Sequence, residues 1–380
     1  MPRTLLAQAA EKCYFVRMAD FFDYLDWRGD VPFTAMPLNS VDALLLCQLS
    51  YLDFSGIVPQ EFRDALTLAE AARRFDAAAR LDSCRADMGA LINGRTPELL
   101  QCAAACPRFS ALRLLGFADK IDVHQEEQFS ALTAVLPDGA AFVAFRGTDD
   151  TIVGWKEDFN LGFMTEIPAQ KDAAAYLEAA SAALPECRHI YAGGHSKGGN
   201  LALYAAVFCS ERTQARMDRV FSFDAPGLTS ESTSCAAFSR VSGKIAAFYP
   251  QLSIVGMLFE HPEKFTVVKS DGIALRQHDP FTWQVKGAGF EIMEDLEQMS
   301  LFVNRTVNAW IASLTAAKRR TFVEALFDVL GSSGASTNSE LQRHWFRTAT
   351  SSARALLDME PAVRKEVLGM LRRLLQVAVQ

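Results

Sequence analysis

The stretch Ile190-Tyr191-Ala192-Gly193-Gly194-His195-Ser196-Lys197-Gly198-Gly199-Asn200 decides the reading of this chain. Apolar residues lead into it as a short strand over 189–192, and a helical pattern follows from about Gly199 to Phe208. Between them stands G-x-S-x-G, at Gly194, Ser196 and Gly198. A serine in a sharp turn between a strand and a helix has its hydroxyl raised above the sheet edge, and small neighbours let strand and helix approach closely there. The helix N-terminus then offers unpaired backbone N–H groups to developing negative charge. Ser196 is therefore the candidate nucleophile. The competing reading is a tight glycine-rich turn with an inert serine.

Working outward, strands and helices alternate. Gln128–Leu136 and Ala140–Phe145 read as strands around a Pro137-Asp138-Gly139 turn. Lys171–Leu184 reads as a helix, and Arg219–Phe223, Lys244–Tyr249 and Phe265–Lys269 read as strands. Ile273–Arg276 reads as one more strand, beyond an Asp271-Gly272 turn. Such alternation predicts an α/β protein with a mostly parallel central sheet flanked by helices. The first 120 residues read as a helical region packing on a core over 121–300. In it Asn39 and Ser40 cap a helix over Val41–Tyr51, and Arg63–Leu81 has helical spacing. A helical C-terminal region follows over 301–380. It contains a capping box at Thr321–Glu324, a flexible linker at 331–339 and an amphipathic helix bearing Val363, Val367, Leu371 and Leu374. The basic face of that last helix leaves peripheral contact with a membrane open, beside the simpler reading of a solvated face.

Composition narrows the function. With 50% hydrophobic and 22% charged residues the chain is neither disordered nor a disulfide miniprotein. A net charge of −7 argues against nucleic acid as a partner. No apolar run is long enough to span a bilayer, and no secretory leader is read at the start. The eight cysteines form no CxxC pair and no zinc spacing, which predicts reduced thiols, a cytoplasmic location and no metal.

A serine nucleophile needs a base. The usual chain order after such a turn is serine, acid, histidine. Of six histidines, His124 and His189 precede Ser196, His195 adjoins it and packs under the turn, and His344 lies in the tail. His278, in a loop after the last strands, is the candidate base, with His261 as the alternative. The candidate acid is Asp224, at the end of the strand Val220–Phe223, where open α/β sheets place their sites. Its competing role is a turn before Pro226. Asp271 reads as a turn residue, and Asp279 adjoins His278 too closely to face it. The oxyanion needs two donors: the N–H of Lys197, and Thr148 in the loop after Phe145. Arg146, Asp149, Asp150 and Asp158 form a charge cluster around that loop, structural for Arg146.

Phe145-Arg146-Gly147-Thr148, together with Gly194-His195-Ser196-Lys197-Gly198-Gly199, resembles the class 3 lipases of the α/β-hydrolase superfamily. Longer strings are more similar to a related Mbeg-like bacterial family. They are Arg146 through Phe159, Gly194 through Asn200, Ser253-Ile-Val-Gly-Met257, His278 through Trp283, Phe22 through Asp30 and Asn39 through Leu44. The resemblance spans roughly residues 20–290. It implies an α/β-hydrolase fold with helical N- and C-terminal extensions, Ser196 as nucleophile, His278 as base, and Thr148 with Lys197 at the oxyanion hole. Two positions depart from the lipase pattern. Lys197 stands where an apolar residue is usual, and Ser253 stands near the usual acid. Either Asp224 takes that role, or a hydroxyl orients His278, or the triad is incomplete. The expected activity is hydrolysis of small-molecule or lipid carboxylic esters through an acyl-enzyme, without a cofactor. A thioesterase, amidase or acyltransferase, or a binding protein on the same fold, are the alternatives.

Overall fold

The computed structural model describes residues 19–331, except 90, 91, 150, 162, 163, 165, 260, 262 and 297, together with 361, 364, 365 and 369. The strands are β1 (Leu66–Thr67), β2 (Arg113–Asp122), β3 (Glu127–Val135), β4 (Ala141–Phe145), β5 (Ile190–His195), β6 (Met217–Phe223), β7 (Ile245–Pro250), β8 (Phe265–Val268), β9 (Val285–Lys286), β10 (Gly289–Phe290) and β11 (Ile292–Met293). The helices needed below are α1 (Phe21–Arg28), α2 (Ser40–Leu49), α3 (Leu68–Leu81), α4 (Thr96–Ala105), α5 (Ile152–Asn160), α6 (Pro168–Ala183), α7 (Lys197–Phe208), α8 (Gln298–Ala312) and α9 (Ala316–Gly331).

The described residues form a nine-stranded sheet in the order β1-β2-β3-β4-β5-β6-β7-β8-β11, and β9 and β10 pair separately. From β4 to β8 every neighbour is parallel. The strands on either side of that block, β1 to β3 and β11, pair antiparallel. This mixed sheet with a parallel centre, flanked by helices, is an α/β fold.

Strand alternation sorts the core into two layers. Phe142 and Ala144 of β4, with Leu132, Ala134, Phe221 and Phe223, pack against α1 to α4. The intervening Val143 and Phe145, with Phe129, Ala131, Ala192 and Val220, pack against α6 and α7. The N-terminal helices thus form one face-covering layer, and the helix after Ser196 belongs to the other.

One buried group ties the N-terminal layer together. Asn39 caps α2, and Asp42 closes the capping box by accepting from the Asn39 N–H. Asp42 also accepts from Tyr24 Oη at 2.7 Å and pairs with Arg108, both ion-pair side chains being inaccessible to solvent. Arg108 Nη1 donates further to the carbonyls of Val31 and Met36, and its guanidinium lies 3.9 Å from the centre of the Phe33 ring. Such a pair holds because every polar atom around it is occupied.

Several sequence expectations are corrected. The helical reading of the first 120 residues misses β1 and β2, which add two antiparallel strands to the sheet. β2 carries an irregularity between Leu115 and Ala118, around Gly116 with φ 66°, so its sequence lacks alternation. Ile273–Arg276 is not a strand. It leads into a 3-10 turn, Ala274–His278, because Asp271 N–H bonds to Thr282 O and no neighbouring strand receives the segment. Thr321 does not start a helix: α9 begins five residues earlier, and the Thr321 hydroxyl donates back to Ala317 O. The linker beyond Gly331 and the amphipathic face at 363–374 lie outside the described residues. Among the described residues no helix is long and apolar enough to cross a membrane.

Candidate active site

β5 runs into α7 through a single residue, Ser196, with φ 56° and ψ −134°. A serine held at positive φ costs of order 1–3 kcal/mol, which the surroundings must offset. They do so by close contact. A Cβ on Gly194 would stand 2.1 Å from the Gly198 carbonyl carbon, and one on Gly198 would stand 2.2 Å from Phe145 O. Only glycine allows these backbones to meet. The Ser196 N–H continues the ladder to Phe223 O at 2.9 Å. Lys197 opens α7, so its N–H has no acceptor within the helix and is available to an anion.

Asp224 follows β6 and is inaccessible to solvent, with φ 42°. Its N–H donates to Phe248 O at 2.8 Å, fixing it to β7. His278 Nδ1 lies 2.6 Å from Asp224 Oδ2, and since a carboxylate only accepts, Nδ1 carries the proton. Nε2 is left as the nitrogen free to take a proton. The other carboxylate oxygen, Oδ1, accepts from Ser253 Oγ at 2.5 Å. Ser253 thus bonds to the acid, which in turn holds the histidine, so the two candidates for orienting His278 are joined in series. The His278 ring centre is 4.5 Å from that of His195, the residue before Ser196.

The alternatives lie in other networks. His261 bonds to Tyr249 Oη at 2.9 Å and to Leu258 O at 2.9 Å. Asp271 accepts from Gln284 Nε2, and Asp279 accepts from Asn93 Nδ2 at 2.6 Å. Arg146 forms ion pairs with Asp119 at 2.7 Å and Asp149 at 3.3 Å, a structural cluster. Asp150 lies outside the described residues.

Lys197 sends its side chain away from the serine. Its ammonium is buried and donates to Gln128 O at 2.8 Å, Gln128 Oε1 at 2.7 Å and Glu157 Oε2 at 2.8 Å, using all three protons. Glu157 Oε1 accepts from the Ala169 N–H at 3.1 Å. The position that departs from the lipase pattern thereby joins β3, α5 and the start of α6 to the turn. Sequence gave no signal for it, because the partners lie 40 and 69 residues away.

Thr148 is buried and its hydroxyl donates to Asp158 Oδ2 at 2.5 Å. Asp158 Oδ1 is inaccessible and unpartnered among the described residues. Burial pushes the Asp158 carboxyl up from 3.8 to about 6, with Glu157 and Asp149 adding to the rise, while Lys197 and the Thr148 hydroxyl oppose it. As a carboxylate it accepts the hydrogen bond of the Thr148 hydroxyl. As an acid it can donate instead, which frees that hydroxyl to donate toward a ligand. A carboxyl raised on folding favours the folded state in its protonated form. That stabilisation is complete below about pH 4 and lost as pH passes about 6. Asp158→Asn removes the dependence. Its stability relative to the native chain is expected to rise by about 2 kcal/mol between pH 4 and pH 6.5 in urea titrations. A difference that stays flat across this window would refute the assignment.

A model of the Mbeg1-like family matches residues 103–328, more than half of the 380-residue chain. Comparison with curated proteins gives no match. Among solved structures, one described as the crystal structure of M37 lipase aligns at 13% identity with a TM-score of 0.35, covering 57% of this chain and 68% of that one.

Proposed function

The chain belongs to the Mbeg1-like family, and from that premise we propose that it is a serine hydrolase that cleaves carboxylic esters through an acyl-enzyme. One observation carries the reading: the Asp224–His278 hydrogen bond of 2.6 Å, formed beside a serine held at positive φ between β5 and α7. Ser196 Oγ attacks the ester carbonyl carbon while His278 Nε2 takes its proton. The imidazolium so formed keeps its Nδ1 proton on Asp224, whose charge stabilises it. The carbonyl oxygen, now an oxyanion, receives the Lys197 N–H and a donor from Thr148. Collapse expels the alcohol, which takes the proton back from His278. Water then repeats the sequence on the acyl-enzyme. Each group is a side chain or amide of this chain.

A fluorophosphonate tests the reading. It should add covalently to Ser196, and Ser196→Ala should abolish both labelling and p-nitrophenyl ester turnover at a nearly unchanged melting temperature. Adduct formation on another residue, or turnover that survives in Ser196→Ala, would refute it.

A further inference from the structure

The base is carried on an unusual support. His278 ends a 3-10 turn between β8 and β9, with no regular helix on either side of it. Asp224, Gln251 and Leu252 hold this stretch from the sheet side, and the N-terminal layer holds it from the other. Val285 N–H donates to Ala19 O at 2.9 Å, the Phe281 ring meets the Phe21 ring edge-on at 5.3 Å, and Asn93 Nδ2 reaches Asp279 Oδ2 at 2.6 Å. A further contact acts on His278 itself. His195 Nε2 stands 2.8 Å from the His278 carbonyl oxygen, with the two imidazoles 36° from parallel.

The protonation pattern follows from the acceptor. A carbonyl oxygen only accepts, so His195 Nε2 carries its proton and Nδ1 holds the lone pair. Tyr51 Oη, 3.2 Å from that Nδ1, is then the donor. Tyr51 is buried just beyond α2, so the chain of bonds starts in the N-terminal layer and ends on the backbone of the base. Burial holds the His195 pKa well below that of an ordinary imidazole, with the nearby His278 adding to the effect. A neutral ring therefore lies beside His278 when the latter takes up a proton, and no like charge opposes it.

We propose that His195 and Tyr51 are positioning residues for His278: the Tyr51 hydroxyl holds the His195 ring in the orientation that lets Nε2–H reach the His278 carbonyl, and His195 then holds the base by its carbonyl and its ring. The proposal rests on the hydrolase reading and extends the working site to Tyr51, which the family match over 103–328 does not include. It gives the N-terminal layer a part in turnover.

Tyr51→Phe keeps the ring and removes the hydroxyl, with its contacts to His195 Nδ1 and, at 3.4 Å, to His195 O, and the bond it accepts from the Gly147 N–H. Fluorophosphonate labelling and ester turnover by the native chain come first, since their absence sinks the hydrolase reading independently of this proposal. Given a working native enzyme, Tyr51→Phe should lower kcat about five- to tenfold, the scale of one neutral hydrogen bond, with KM within about twofold. The low-field proton resonance of His278 Nδ1–H should shift or broaden by exchange. His195→Phe, which loses both nitrogens and keeps a ring, should lower kcat further and add no loss when combined with Tyr51→Phe. An unchanged kcat with an unmoved resonance in folded Tyr51→Phe would overturn the proposal. So would a fall in melting temperature alone, because that is what a merely structural tyrosine gives.

Discussion

Asp224→Asn is expected to lower kcat by about three to four orders of magnitude while the protein stays folded. The carboxylate accepts from His278 Nδ1 at 2.6 Å and so keeps Nε2 unprotonated, ready for the serine proton. An asparagine amide can instead donate to Nδ1, which moves the imidazole proton to Nε2 and leaves the ring unable to act as a base. The negative charge that stabilises the imidazolium goes too. Ser253→Ala removes the 2.5 Å bond to the far carboxylate oxygen, and should cost about tenfold or less. Steady-state kinetics on both variants decides the matter. A larger loss from Ser253→Ala than from Asp224→Asn would transfer the orienting role to the hydroxyl.

The second large effect is on stability. Lys197 and Glu157 are an ion pair with almost no solvent access, at 2.8 Å. Glu157→Leu strands an ammonium in the interior with only the two Gln128 oxygens, and should cost about 3–5 kcal/mol. Replacing both partners, Glu157→Leu with Lys197→Met, removes the charge as well as its counter-charge. Most of the loss should then be recovered, to within about 1–2 kcal/mol of the native chain. Denaturant midpoints measure both. The Lys197 N–H survives in the double variant, so labelling at Ser196 should persist. A single substitution that costs under about 1 kcal/mol would mean that water reaches the ammonium.

What the sequence made legible was local. The turn at Ser196 could be read because its constraints fall within a few residues: apolar strand, glycines on both sides, helix. Asp224 and His278 could be placed because strand ends on one edge of an α/β sheet converge, even 54 residues apart. Ser253 was legible as a position and not as a partner. Its hydroxyl meets the carboxylate only when β6 and β7 lie side by side. Tyr51 left no trace at all, since it meets His195 across 144 residues and a buried tyrosine after a helix reads as core. β2 was hidden by its irregularity at Gly116, which breaks the alternation that betrays a strand. For Ser253 and Tyr51 the missing information is a tertiary neighbour; for β2 it is a local irregularity.

The position of β5 has a consequence for how the molecule breathes. It is the fifth of the nine strands in the sheet, with four on each side, and Ser196 extends its ladder to β6. Amides in such a place exchange with solvent only through global opening, whereas the two-residue edges β1 and β11 fray freely. The Ser196 turn therefore sits in the last part of the sheet to come apart, and partial openings at either edge should leave its backbone intact.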